Sequence, residues 1–200
     1  MKKIILGCLI MVSSACSAQD QQQSFFGNIF NRLSFGVKAG GNYSNFTNAS
    51  FTTDPLVGFN AGGTINFRLS DHWTVVEDIL YATEGAKSTT AFFGGKDIKL
   101  SYLNIPVVYR YSTGSGLFFE FGEQAGIKLQ EQVSGLQPGN EFAKTLNFSA
   151  TAGLGYKFSK GLGLSLRYNY GLTNIGNAAG LPVSSNFKSN TAQASLFYSF

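Results

Sequence analysis

His72 is the one histidine in this 200-residue chain, so it is the first candidate for base catalysis. A histidine base must lie within hydrogen-bond reach of a nucleophile and be oriented by a third group. His72 instead falls in SDH (70–72), a short polar break before Trp73, and reads as a turn residue. Both cysteines, Cys8 and Cys16, lie in the N-terminal apolar segment. Once that segment is removed, disulfides, thiolate metal sites and cysteine nucleophiles are all excluded. With the one histidine in a short turn and no thiol, a Ser-His-Asp site and most zinc sites are excluded as well. GLGYKF (153–158) is glycine-rich but lacks the strand–turn–helix context and Lys-Ser/Thr ending of a phosphate loop. No enzyme and no cofactor are expected. A carboxylate-only site would be required, and no short motif marks one.

The remaining chemistry lies in a few charges spaced along alternating segments. Lys38, Arg68, Lys128 and Arg167 share the polar phase of their segments with Asp78, Glu84 and Glu120. Only 13% of residues are charged, where about 25% is usual. Without Lys2 and Lys3, the 15 basic residues fall to 13 against 11 acidic, a net charge of +2. No basic patch or run is present, so nucleic acid is not an expected partner.

Period-two alternation positions these residues. Eight segments carry it, among them Leu33–Tyr43, Val57–Leu69, Trp73–Lys87, Ile98–Tyr111 and Leu117–Leu129. Leu146–Phe158, Leu162–Leu172 and the closing TAQASLFYSF (191–200) complete the set. The phase of the fourth slips near Tyr102, which predicts a bulge. Pro106 predicts a bulge or an unusual hydrogen-bond position. Short connectors (70–72, 112–116, 159–161) fall at one end of the strands and long polar ones at the other. The pattern predicts an all-β fold, an eight-stranded antiparallel up-and-down transmembrane β-barrel of the outer-membrane kind.

The polar phase separates this from a soluble barrel. It is mostly Gly, Ser, Asn and Thr, as in Asn147, Ser149, Thr151, Gly153 and Gly155, where a water-facing strand would carry Lys and Glu. Small polar residues suit a narrow lumen, and the seven charges above form its expected polar network. The apolar phase ends in aromatics: Trp73, Tyr111 and Phe158 are expected at the membrane interface on the short-turn side, with Tyr198 and Phe200. Glu77 and Glu123 break the pattern, because both fall on the lipid-facing phase. A cation at mid-bilayer there costs about 2–4 kcal/mol, a carboxylate less. Bulges are therefore expected to turn at least one of them inward.

The N-terminus predicts export. Lys2 and Lys3 precede an apolar stretch, Ile4 to Val12, too short to span a bilayer. Residues 1–18 read as a signal peptide cleaved after Ala18; lipidation at Cys16 is the alternative. Residues 19–32 read as a periplasmic linker or short helix, and 33–200 as the barrel.

WTVVEDILYATEG (73–85) and YLNIPVVYRY (102–111) resemble the small PorT-like outer-membrane barrels of Bacteroidetes. The resemblance rests on Asp78, Ile79, Leu80, Tyr81 and Gly85, and on Tyr102, Leu103, Ile105 and Pro106. It covers about 33–200 and implies the barrel fold. Asn104 stands where such proteins commonly carry an acid, and Glu77 and Glu123 where they often carry Pro. Some relatives are linked to protein secretion; fold alone does not transfer that role.

The expected function is non-enzymatic: a structural, adhesive or partner-binding barrel in the cell outer membrane. The alternatives are a secretion component working with other envelope proteins, or a narrow channel for very small solutes. Phe92, Phe93, Leu136, Leu181 and Phe187 in the long loops either bind partners or fold over the rim. The last strand must pair with the first, because a bilayer cannot solvate raw sheet edges. Its outward Leu196, Tyr198 and Phe200 resemble the signal read by the barrel-assembly machinery, the expected partner besides outer-membrane lipid.

Overall fold

Alternation of this regularity can satisfy every strand only in a closed sheet, and a closed sheet is what forms. A computed structural model describes residues 30–49, 52–88, 97–133, 141–158, 161–177 and 186–200. Met1–Leu33 and Ser34–Phe200 are two separate units. Residues 1–18, expected to be a signal peptide, residues 19–29 of the expected linker, and Phe92, Phe93, Leu136 and Leu181 lie outside the described residues. The strands are β1 (Leu33–Thr47), β2 (Thr53–Arg68), β3 (Trp73–Ser88), β4 (Asp97–Ser112), β5 (Leu117–Gln132), β6 (Leu146–Lys157), β7 (Leu162–Gly171) and β8 (Lys188–Ser199). Each pairs with its sequence neighbours, and β8 returns antiparallel to β1 from Gly36↔Ser199 to Thr47↔Lys188. The Phe200 N–H donates to the Phe35 carbonyl at 2.8 Å, which carries the seam to the last residue.

The faces divide by parity. Phe35, Val57, Ile79, Phe119, Leu154, Leu166, Tyr168 and Leu196 stand exposed on the outside. Asn42, Asn60, Asp78, Gln124, Thr151 and Arg167 are buried inside. At the short-turn end Trp73 meets Tyr111 edge-on at 5.1 Å, Tyr156 meets Phe158 at 5.1 Å, and Tyr198 meets Phe200 at 5.4 Å. Gly161 closes one turn with φ +84°, and a Cβ there would lie 2.3 Å from the Ser199 carbonyl oxygen. Only glycine takes that backbone at no steric cost.

The structure corrects one reading of β4 and narrows another. Its phase does not slip: Ile98, Leu100, Tyr102, Asn104, Val108 and Arg110 all point inward. The apparent slip arises because the inward residues turn apolar near the loop end. The register shift lies in the partner strand. Ser101 faces Gln130 but Tyr102 faces Lys128, so Leu129 is the extra residue, in β5. Pro106 shifts nothing, since Glu77↔Val107 and Leu80↔Asn104 keep one register. Lacking an N–H, it leaves a gap in the ladder rather than a bulge.

The expectation for Glu77 and Glu123 is also overturned. Both are exposed on the outer face, and neither lies at a register shift.

Candidate functional site

The lumen is filled at four levels, each built by inward residues of several strands. Nearest the short turns, Phe118 of β5 and Phe197 of β8 meet edge-on at 5.8 Å. Gly155 and Gly163 make room for them. A Cβ at Gly155 would lie 2.3 Å from the Phe118 ring, and one at Gly163 2.2 Å from the Phe197 ring. The Arg110 guanidinium lies over both rings, at 4.3 and 5.1 Å.

Above the rings, five charges cross the barrel. Lys38 of β1 donates to Asp78 Oδ2 of β3 at 2.7 Å. Arg167 of β7 bonds the same oxygen through Nη1 at 2.5 Å, and Glu120 Oε2 of β5 through Nε at 2.6 Å. Arg110 of β4 holds Glu120 Oε1 through Nε at 2.7 Å and Nη2 at 2.6 Å. All five residues are buried. Charges in such a setting persist only when paired and hydrogen-bonded. Here alternating signs supply the pairing, between the adjacent β4 and β5 for Arg110–Glu120 and across strands that are not neighbours for the other three pairs.

A layer of amides and hydroxyls around Glu84 follows. Asn60 donates to Asn42 at 2.6 Å and accepts from Ser195 at 3.0 Å. Glu84 accepts from Asn104 at 2.8 Å and lies 3.5 Å from the Ser189 hydroxyl. Asn104, standing where an acid is common in the resembling proteins, thus gives the buried Glu84 an uncharged donor.

The loop end is closed by apolar side chains. Phe46, Phe142 and Phe187 form a triangle of rings with centroids 5.0 to 6.0 Å apart. Ile98, Leu100, Tyr102 and Ile175 pack beneath them. Glu131 Oε1 accepts from the Phe142 N–H at 2.9 Å and Oε2 from the Ala143 N–H at 3.2 Å. Lys128 bonds Glu131 at 2.7 Å and also the Ala143 carbonyl. The Ile175 N–H donates to the Phe187 carbonyl at 2.9 Å, and Asn177 to Phe142 at 2.9 Å. Segments from two long connectors are thereby fastened across the mouth.

The seven charges expected in one network therefore occupy different places. Lys38, Asp78, Glu120 and Arg167 meet in the central chain. Glu84 belongs to the layer of amides and hydroxyls and Lys128 to the rim of the cap. Arg68 has the lumen parity of Thr64 and Asn66 but ends β2; it is exposed and makes none of the described ion pairs. The site gains Arg110, which the sequence reading passed over. Its parity with Asn104 and Val108 was the available signal. Phe187 is a cap residue, 1% exposed, rather than a free loop side chain. His72 is exposed in its turn, with Nδ1 3.0 Å from the Ser112 carbonyl oxygen. Among the described residues, no three of His, Cys, Asp and Glu gather as a metal site requires. Leu196, Tyr198 and Phe200, and Trp73, Tyr111 and Phe158, are exposed on the outer face.

A model of the outer membrane protein β-barrel domain family matches residues 17–177. Neisserial surface protein A superposes with a TM-score of 0.55 at 20% identity, over 84% of this chain and 99% of that one. Ail, the attachment invasion locus protein of Yersinia pestis, superposes with a TM-score of 0.50 at 14% identity, over 84% and 98%. No curated protein matches the sequence. At these identities the structural likeness bears on the fold.

Proposed function

The chain belongs to the outer membrane protein β-barrel domain family, and from that premise we propose that it is a sealed scaffold that displays binding loops at the cell surface. It is an integral outer-membrane barrel, and its outer face meets lipid. The observation that carries the proposal is the filled lumen. A ring pair, a five-charge chain and an apolar cap occupy the interior in succession. Eight strands leave an interior only wide enough for such side chains, so solute passage is disfavoured and activity moves to the loop end. There the long connectors rest on a rigid base, the arrangement in which loops usually bind. Ail's name describes attachment and invasion, and an adhesive role is one form of the binding proposed here. The proposal includes no catalysis.

Two further parts rest on sequence. Residues 1–18 act as an export signal, and 19–32 as a periplasmic lead into the barrel. The outward Leu196, Tyr198 and Phe200 engage the barrel-assembly machinery, and Trp73, Tyr111 and Phe158 anchor the short-turn interface. The motifs in β3 and β4 support a PorT-like subgroup of Bacteroidetes, testable by the genes that neighbour this one.

The main test has two arms. Purified protein in planar bilayers should show no conductance above an empty-detergent control. Replacing 134–140 and 178–185 with Gly-Ser linkers should leave a folded barrel but abolish cell adhesion. Stepwise conductance of the wild type, or adhesion unchanged by the replacement, would overturn the proposal.

A further inference from the structure

Glu77 and Glu123 stand on the lipid side of the wall, and their placement is symmetrical. Glu77 pairs with Val107, and Val107 with Glu123, so the two carboxylates flank Val107 in one row across β3, β4 and β5. Two strand spacings separate them by roughly 10 Å. Val75, Tyr109 and Phe121 form the next row on one side, and Ile79, Ile105 and Ala125 the row on the other. Glu77 lies four residues from Trp73. With a strand rise near 3.3 Å and a tilt near 40°, that is about 10 Å into an apolar band roughly 25 Å tall. Acyl chains offer these carboxyls no hydrogen-bond partner.

No described residue of the barrel makes an ion pair or a hydrogen bond with either side chain. Among its described residues, the exposed cations stand at strand ends: Arg68 and Lys157 by the short turns, Lys87, Lys99 and Lys144 by the loops. The row is, however, complementary to itself. A two-fold axis along the membrane normal, passing in front of Val107, opposes Glu77 of one copy to Glu123 of the other. A second copy inserted the same way necessarily presents that row at the same depth. The row is perpendicular to tilted strands, so its ends differ in height by about 6 Å at a tilt near 40°, within the combined reach of two glutamate side chains. Each junction then holds two carboxyl groups, and one shared proton makes a short O–H···O⁻ hydrogen bond. We propose that the β3–β5 face is a homodimer interface within the membrane, with Val107 at its centre and two Glu77–Glu123 carboxyl pairs sealing it from lipid.

The face across the barrel supplies a control. Tyr43, Leu154, Leu166, Tyr168, Ala192 and Ala194 line an outer groove of about 760 Å³ with no carboxylate. The test uses the full chain with Cys8 and Cys16 replaced by serine, refolded into phosphatidylcholine–phosphatidylglycerol vesicles at high lipid dilution. Val107→Cys should form a disulfide-linked dimer several-fold faster than Leu166→Cys. Adding Glu77→Leu and Glu123→Leu should lower its rate to the Leu166→Cys level, while the barrel stays folded by heat-modifiable electrophoretic mobility. Cysteine-free protein labelled with donor and acceptor dyes should show energy transfer that falls on further lipid dilution. Equal crosslinking at the two positions, insensitivity to the double leucine change, or no energy transfer at any dilution would overturn the proposal.

Discussion

Glu120→Gln keeps the shape of its side chain and removes one charge from the centre of the barrel. Among the described residues, Glu120 is the only carboxylate bonded by Arg110 and one of two bonded by Arg167. The central chain has three cations and two carboxylates, so its charge rises from +1 to +2. Arg167 keeps Asp78; Arg110 keeps only the faces of Phe118 and Phe197. Stripping one partner from a buried ion pair costs about 3–5 kcal/mol. Cation–π contact with two rings offsets roughly 1–2 kcal/mol, which leaves a loss near 3 kcal/mol. Arg167→Met behaves differently, although Arg167 makes more of the contacts. Its removal leaves two matched pairs, Lys38–Asp78 and Arg110–Glu120, and an uncharged set. Two charge-assisted hydrogen bonds are lost, but the cation's desolvation is recovered, for a net cost of about 2 kcal/mol. Urea titration in lipid vesicles, read by electrophoretic mobility, resolves the two. At a slope near 2 kcal/mol/M, Glu120→Gln should lower the midpoint by about 1.5 M and Arg167→Met by about 1 M. Adding Arg110→Met to Glu120→Gln should recover at least ~1 kcal/mol, a coupling that independent sites would not show. A Glu120→Gln loss below ~0.5 kcal/mol, or one smaller than that of Arg167→Met, would refute the reasoning. It would mean that water, not neighbouring side chains, solvates these charges.

Other outcomes follow from the ends and walls of the lumen. Phe200→Asp should sharply reduce insertion by cells, measured as folded protein in the outer-membrane fraction, with in vitro refolding less affected. Gly163→Val drives a side chain into the Phe197 ring and should cost about 1–3 kcal/mol by overpacking, measured by the same urea titration. Phe187→Ala should loosen the cap, seen as faster proteolysis between 134 and 140. It should nonetheless stay non-conducting in planar bilayers, because Phe118 and Phe197 still fill the short-turn end.

Parity along each strand was legible from the first alternating residues, and with it the strand number, closure and lipid face. Parity says which way a side chain points but not how far along the barrel it lies. Arg68 has the parity of the lumen yet ends its strand in solvent. Glu84 and Lys128 have it too, and each lies at a different level from Lys38. Apolar residues inside the barrel resemble apolar residues outside it. Ile98, Leu100 and Tyr102 thus imitated a phase slip, when they were the floor of a cap whose other side arrives from Phe142, Ile175 and Phe187. That convergence spans loops with no periodicity of their own, so no local pattern announces it. Glu77 and Glu123 were read correctly by parity, and the appeal to bulges misplaced them. A residue that costs stability in the monomer need not be turned away when another molecule can cover it.

The seam between β1 and β8 also constrains when this molecule can exist. Its pairing begins at Gly36↔Ser199, so closure joins positions more than 160 residues apart along the chain. Bringing such ends together costs about 4–5 kcal/mol in loop entropy, and no pairing at the seam is available until the final residues have been made. The barrel therefore cannot close before β8 has been made, and no piece that lacks β8 has a finished circumference. Until then β1 and each newest strand are open templates for stray pairing. Closure is thus the last pairing the sequence allows, and both edges stay open until it is made.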